Sequence, residues 1–340
     1  MKFILTMLGT GAALAMTAAI SAQTPAPRAT PAPSASTDID RTVMHVQVIL
    51  DRIGFSPGVI DGKGGESLRL ALRGFQESRG LTPSGKIDQP TLAALHRYRA
   101  IRPTVTVRIA EADMRGPFTN PIPKDPKLQA QLPCLCYRAG LEAIAERFHT
   151  TPATLIALNG PGTPVRAGQS IVVPAALPSS RDYAVKDEKT RQLLSALNVD
   201  AKQRKGDRIV VDKSDGVLRV YDGEQLVAQF PATMGSARDP LPIGTWKIIG
   251  HSYLPPWHYQ PAILKKANKN DPELTIKPGP NNPVGVAWLD LSKEHYGIHG
   301  TAEPQTIGRA ESNGCIRLTN WDVMRLSQMV APGTTAIFQE

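Results

Sequence analysis

Cysteine is scarce in this 340-residue chain: it has three, Cys134, Cys136 and Cys315. In an oxidising compartment an odd count leaves at least one thiol outside any intrachain bridge. Cys134 and Cys136 either close a strained Cys-x-Cys bridge or stand as two thiols on one strand face, since alternate strand residues point the same way. Beyond the first residues, no stretch approaches the ~20 apolar residues that a transmembrane helix requires. His251, His258 and His295 show no HxxxH-like spacing and no cysteine cluster joins them, so metallopeptidase chemistry has no visible ligand set. No metal or other cofactor is expected. The net charge is +9, but the basic residues are scattered and no nucleic-acid motif accompanies them. Such a balance suits an anionic wall or membrane surface better than a nucleic-acid partner.

What is present begins with Met1 to Ala22. Lys2, an apolar run from Phe3 and the small-residue end Ala19-Ile-Ser-Ala22 have the form of a secretory signal. No cysteine ends that segment, so a lipid-modified N-terminus is not expected. Gln23 to Thr37 is rich in Pro, Ala and Ser without periodicity and reads as an extended tether. An exported protein, in the periplasm or cell envelope, is the expectation.

The densest chemistry lies near the other end. His299 precedes Gly300, and sixteen residues on stands Cys315, within Ser312-Asn313-Gly314-Cys315-Ile316-Arg317. A thiol becomes a good nucleophile as thiolate, and a neighbouring imidazole is the usual way to generate it. Glycine before the cysteine lets a carbonyl approach the backbone and permits dihedrals that aim N–H groups at an oxyanion.

These residues resemble the L,D-transpeptidase family, whose signature is a histidine in an IHG-type stretch followed by a Ser-x-Gly-Cys-x-Arg run. Asp239–Ile248 is similar to the family's "TPxGxF"-type segment, and Pro278–Gly285 to its "PGPxNPxG" segment. Many members carry His where this chain has Asn313. The resemblance implies Cys315 as nucleophile and His299 as general base and then acid, oriented by the Gly300 carbonyl. It implies oxyanion-hole N–H groups at Gly314 and Cys315. Arg317 would hold a substrate carboxylate or fix the cysteine loop, and Ser312 and Asn313 would shape that loop. Trp257, His258 and Tyr259 are candidates for the donor groove and its shield from water.

Upstream, Val43, Val46, Ile49, Leu50 and Ile53 fall at helical spacing before Gly54, and Leu68, Ala71, Leu72 and Phe75 form a second stripe before Gly80. Pro90 opens a third helix. Ile60–Gly65, Phe75–Leu81 and Gly85–Leu95 resemble the marks of a three-helix peptidoglycan-binding domain. From Cys134, a strand at Cys136–Ala139, two short helices and a strand at Ser170–Pro174 give a β-α-α-β order similar to a LysM domain. Its usual opening "GDT" is absent, which leaves a glycan-binding module and a structural spacer both open. After Asp207, alternating runs at Val217–Tyr221 and Leu226–Phe230, with turns at Asp215-Gly216 and Asp222-Gly223, read as β hairpins. One amphipathic helix is expected near Trp321–Val330, with Val323, Leu326 and Val330 inward.

The expected chain is multidomain, with a mostly β L,D-transpeptidase sandwich. The divisions are signal 1–22, linker 23–37, peptidoglycan-binding domain 38–98, connector 99–133, LysM-like module 134–176, connector 177–206 and catalytic domain 207–339. The implied activity joins a peptidoglycan stem peptide to an acceptor amine through a cysteine thioester, releasing D-Ala and forming 3-3 cross-links or attaching a wall protein. Hydrolysis of the same thioester, by a carboxypeptidase or endopeptidase, and a non-catalytic wall-binding protein are the alternatives.

Overall fold

A computed structural model describes residues 39–236, 239–262, 264, 267–309 and 314–340. The signal 1–22, the linker 23–37 and the site candidates Ser312 and Asn313 lie outside the described residues. Helix α1 (Arg41–Arg52) starts where the Asp40 carboxylate accepts the N–H groups of Thr42 and Val43, and it stops before Gly54. Helices α2 (Glu66–Ser78) and α3 (Gln89–Leu95) follow, the last capped by Asp88 with proline in its first turn. Val46, Ile49, Leu50, Leu68, Leu72, Phe75 and Leu95 pack into one small core.

The second unit differs from the sequence expectation at its first strand. Cys136–Ala139 is not a strand; β1 is Thr104–Arg108, in the stretch read as a connector, and it pairs antiparallel with β2 (Ser170–Pro174). Between them come two four-residue turns, α4 (Glu111–Met114) and α5 (Pro126–Gln129), then α6 (Gly140–Arg147) and α7 (Pro152–Asn159). The β-α-α-β order therefore stands, with residues 109–139 inserted before its first full helix. Cys134 and Cys136 form a disulfide. The backbone between them is turned outward from this unit: Leu135 N–H donates to the Pro278 carbonyl at 3.1 Å and its carbonyl accepts from Asn281 N–H at 2.9 Å. In the expected strand itself, the Cys136 carbonyl accepts from Asn281 Nδ2, the Tyr137 carbonyl from Thr119 N–H, and Arg138 N–H donates to Glu142, so these groups join no ladder.

Helix α8 (Glu188–Ala196) leads into the β region. Its strands are β3 (Arg208–Asp212), β4 (Val217–Asp222), β5 (Gln225–Pro231), β6 (Thr233–Met234), β7 (Gly244–Tyr253), β8 (Trp257–Tyr259), β9 (Leu274–Ile276), β10 (Ala287–Leu291), β11 (Gly297–His299), β12 (Ile316–Arg317) and β13 (Thr335–Gln339). Apart from the β8–β9 hairpin they join in the order β5-β4-β3-β13-β7-β10-β11-β12-β6. β7 belongs to both limbs of this mostly β sandwich: Gly244–Lys247 pair with β13, and Ile248–Tyr253 with β10. Residues of both limbs, such as Val211, Phe230, Leu289 and Ile316, share one core with helix α9 (Asn320–Met329).

Helix α9 forms where the sequence suggested, with Val323, Leu326 and Val330 inward, but it is buried on nearly every side and has no solvent face. Its outer face is covered by the two preceding units. Arg325 reaches Asp51 on α1, Trp321 stacks on His149, and Asn320 meets Glu146 on α6. The helical unit also docks on β5. Gln229 exchanges backbone hydrogen bonds with Gly54 and Ser56 and donates its side-chain amide to the Leu70 carbonyl. A Cβ on Gly74 would lie 2.6 Å from the Gln229 side chain, so a larger residue there would displace the amide that donates to the Leu70 carbonyl. Among the described residues no helix is long and apolar enough to cross a membrane.

Candidate active site

β11 and β12 are neighbours and parallel, with His299 opposite Arg317 and Ile298 opposite Ile316. Strand side chains alternate, so Cys315, one residue before this pairing, shares a sheet face with Arg317 and with His299 across the ladder. Two positions sixteen apart in sequence are thereby brought onto one face of neighbouring strands. β12 is held on its other edge by β6 and is followed at once by α9, which Thr319 caps. The cysteine thus sits at the start of a strand wedged between the sheet and its central buried helix.

His299 is buried, and its Nδ1 donates to the Gly300 carbonyl at 2.7 Å. That bond commits Nδ1 as donor and leaves Nε2 with its lone pair. Trp288 lies flat against the ring, with centroids 5.4 Å apart and planes inclined by 11°. Burial and the Arg317 charge push the imidazole down to about 3, against the pull of the Gly300 bond, so it is neutral at pH 7. Burial pushes the Cys315 thiol up, although a Gly297 backbone bond and Arg317 act the other way. The Sγ faces the His295 carbonyl at 3.8 Å. Both shifts run against a preformed thiolate–imidazolium pair.

This makes a pH prediction. Iodoacetamide reacts with thiolate, so alkylation of Cys315 should rise about tenfold per pH unit between roughly pH 6 and 8. With Cys134 and Cys136 bridged, Cys315 supplies the thiol that is read. A plateau reaching down to acidic pH would instead reveal a resting thiolate–imidazolium pair.

The glycines around the pair have specific reasons. Gly314 has φ +94°, and a Cβ there would sit 2.8 Å from the Tyr296 ring. Gly297 leaves room for the Trp288 indole, which a Cβ would approach to 2.3 Å. Arg317 is mostly buried beside Cys315 and Glu303, and its Nε has no hydrogen-bond partner among the described residues. A buried guanidinium nitrogen left open is an expensive feature unless a ligand completes it.

Not every expected residue joins this cluster. Trp257 and His258 lie on β8: Trp257 meets the Tyr259 ring at 5.4 Å, and the His258 ring faces the Thr275 hydroxyl at 3.4 Å. They belong to the β8–β9 hairpin, which packs on Leu135 of the inserted segment. His295 contributes its carbonyl and not its ring, which is exposed beside Glu294. Sequence reasoning missed Trp288 and Asn320. The alternating run Ala287–Leu291 could have suggested an indole on one sheet face, whereas nothing in the sequence marks Asn320 out. Among the described residues no group of His, Cys, Asp and Glu could hold a metal ion.

Three family models match the chain. One described as "L,D-transpeptidase catalytic domain" covers residues 206–338, one as "Putative peptidoglycan binding domain" covers 40–95, and one as "LysM domain" covers 141–174. The chain is 32% identical over 197 residues to "Putative L,D-transpeptidase YkuD" of Bacillus licheniformis, a match spanning 57% of this chain and 90% of that protein. The Bacillus subtilis protein of the same name is 31% identical over 195 residues, with shares of 57% and 90%. Among solved structures, an L,D-transpeptidase (residues 123-326) from Xylanimonas cellulosilytica aligns with 91% of this chain and 100% of its own, at 14% identity and a TM-score of 0.36.

Proposed function

The chain belongs to the L,D-transpeptidase family, and from this we propose that it transfers a peptidoglycan stem peptide onto an acceptor amine through a thioester on Cys315. The observation that supports the proposal is the parallel β11–β12 pair, whose register puts Cys315 on the same sheet face as a histidine whose Nδ1 is already committed to a carbonyl. As Sγ attacks the carbonyl of the stem's third residue, its proton passes to His299 Nε2. Proton transfer then accompanies attack, in keeping with shifts that run against a preformed ion pair. The tetrahedral oxyanion is met by the N–H groups of Gly314 and Cys315. Collapse breaks the peptide C–N bond, His299 returns the proton to the leaving D-Ala amine, and the thioester remains. An acceptor amine attacks it next, loses a proton through His299 to the departing thiolate, and a new amide forms.

Arg317 is the candidate for holding a substrate carboxylate, because its buried Nε is open beside the cysteine. The acceptor is a second stem, giving a 3-3 cross-link, or an amine of a wall-attached protein. The helical unit and the LysM-like unit hold the enzyme on the wall, and residues 1–22 act as the export signal to the periplasm or cell envelope. None of these steps uses a cofactor.

The test is mass spectrometry of products. With a tetrapeptide stem as donor and a D-amino acid or a second stem as acceptor, the product should carry the acceptor on the donor's third residue, with one D-Ala released per event. Donor alone should turn over slowly. Free tripeptide dominating at saturating acceptor would make the protein a carboxypeptidase. Arg317→Gln should raise KM for the donor by about tenfold or more, the worth of a charge-assisted hydrogen bond.

A further inference from the structure

The His299 bond to Gly300 depends on how the Gly300–Thr301 peptide is held. That one plane carries the Gly300 carbonyl, which accepts from His299 Nδ1, and the Thr301 N–H, which donates to Asn320 Oδ1 at 3.1 Å. Asn320 Oδ1 also accepts from Val286 N–H at 3.2 Å. The fit is close: a Cβ on Gly300 or Gly285 would lie 2.1 or 2.2 Å from that oxygen. An amide can turn over, and a reversed Asn320 would present its NH2 to two N–H donors. What fixes its sense is the other end, where Asn320 Nδ2 donates to Glu146 Oε1 at 2.8 Å and to the Pro280 carbonyl at 3.1 Å. Glu146 lies on α6 of the LysM-like unit, and its second oxygen accepts from the Tyr137 hydroxyl of the inserted segment.

We infer that Glu146 is a positioning residue for the active site: by fixing Asn320 it fixes the Gly300–Thr301 peptide, and so the tautomer and orientation of His299. This rests on the reading of His299 as the base. The LysM-like unit then completes the catalytic domain rather than only tethering it. Docking alone would not require a carboxylate there. Burial pushes Glu146 up to about 7 against the pull of Tyr137 and Asn320, so it is a costly side chain at a contact that apolar packing could make.

The test uses the full chain. Glu146→Ala should lower kcat about 10- to 100-fold, the scale expected for a misplaced base, with KM nearly unchanged. Histidine-selective 15N NMR should show the His299 Nδ1–H tautomer in the wild type and its loss or averaging in Glu146→Ala, with His299→Asn assigning the signal. Glu146→Gln keeps an acceptor for Asn320 and should restore both readouts. In an Asn320→Asp background both side-chain oxygens accept, the amide's sense no longer matters, and Glu146→Ala should have no further effect on the His299 signal. If Glu146→Ala does not fold, Glu146→Gln alone and in the Asn320→Asp background carries the test: a tautomer lost in Glu146→Gln, or an Asn320→Asp variant without the Nδ1–H tautomer, overturns the inference. So does an unchanged kcat and tautomer in a folded Glu146→Ala. The NMR readout does not need the enzyme to be a transpeptidase. A chain with no Cys315-dependent transfer but with the tautomer response would sink the proposed function and leave this inference standing.

Discussion

Cys315→Ala should abolish acyl transfer, with a loss of about 10^4-fold or more, because no other group can form the thioester. The protein should stay folded. Cys315 is partly accessible at the head of β12 and Ala keeps its Cβ, so no sizeable cavity opens. His299→Ala should cost about 10^2- to 10^4-fold, the range for a general base. It should also abolish the reaction's dependence on the base, while leaving the thiol open to alkylation. The informative control is the joint replacement Cys134→Ser and Cys136→Ser. That bridge holds Leu135 against Pro278 and Asn281, on the loop that leads to Gly285 and the His299 region, but it holds no reacting atom. Activity should fall far less than in Cys315→Ala. Full transfer by Cys315→Ala, measured by the same mass spectrometry, would remove the cysteine mechanism altogether.

The candidates His299 and Cys315 could be noticed because their chemistry is written locally: a histidine before glycine and a cysteine after glycine need no distant partner to stand out. That their strands are neighbours was not legible, since β11 and β12 are three and two residues long and pair in parallel. Such pairing leaves no periodic trace. The three helices of the first unit were readable from 3.6-residue stripes, which the core confirms. β1 was missed although Thr104–Val107 is a β-branched run, because the prolines that follow made the stretch look like a connector. Nothing in the sequence marks Glu146, Asp51 or Arg325 as buried. Each is buried only because another unit covers it. The burial of α9 has the same origin: its sequence carries polar residues all round, and they face polar partners from α1 and α6 instead of water. Contacts between residues far apart in the chain decide these burials, and a single sequence does not carry them.

The largest effect on stability should come from Asp51→Ala. Asp51 Oδ1 accepts from Arg325 Nη1 at 2.9 Å, its Oδ2 lies 3.0 Å from His149 Nδ1, and its backbone carbonyl accepts from Arg325 Nη2. His149 Nε2 faces the Leu197 carbonyl at 2.8 Å, so the ring is held at both nitrogens, between Asp51 and that carbonyl. The ring, held at φ +53°, stacks on Trp321 at 5.1 Å. Left-handed backbone at a residue with a Cβ is unfavourable, and the surrounding contacts hold it there. Asp322 gives Arg325 a second carboxylate at 3.6 Å and accepts from the Ser56 hydroxyl at 2.7 Å. Burial pushes Asp51 up, but the charges of His149 and Arg325 overcome it and hold the carboxyl below its ordinary value. Its contribution is therefore present at neutral pH and is lost only as pH falls through that lowered value. Alanine would leave the buried Arg325 guanidinium with the backbone carbonyl of residue 51 and the more distant Asp322 carboxylate but without its close counter-charge, and breaking such a pair costs about 3–5 kcal/mol. Denaturant unfolding should show that loss as a lower midpoint at neutral pH. The double replacement Asp51→Leu with Arg325→Met should recover much of it, because it removes both charges and keeps apolar volume. A single Asp51→Ala change within about 1 kcal/mol of wild type would mean that the cluster fills space between the units without binding them.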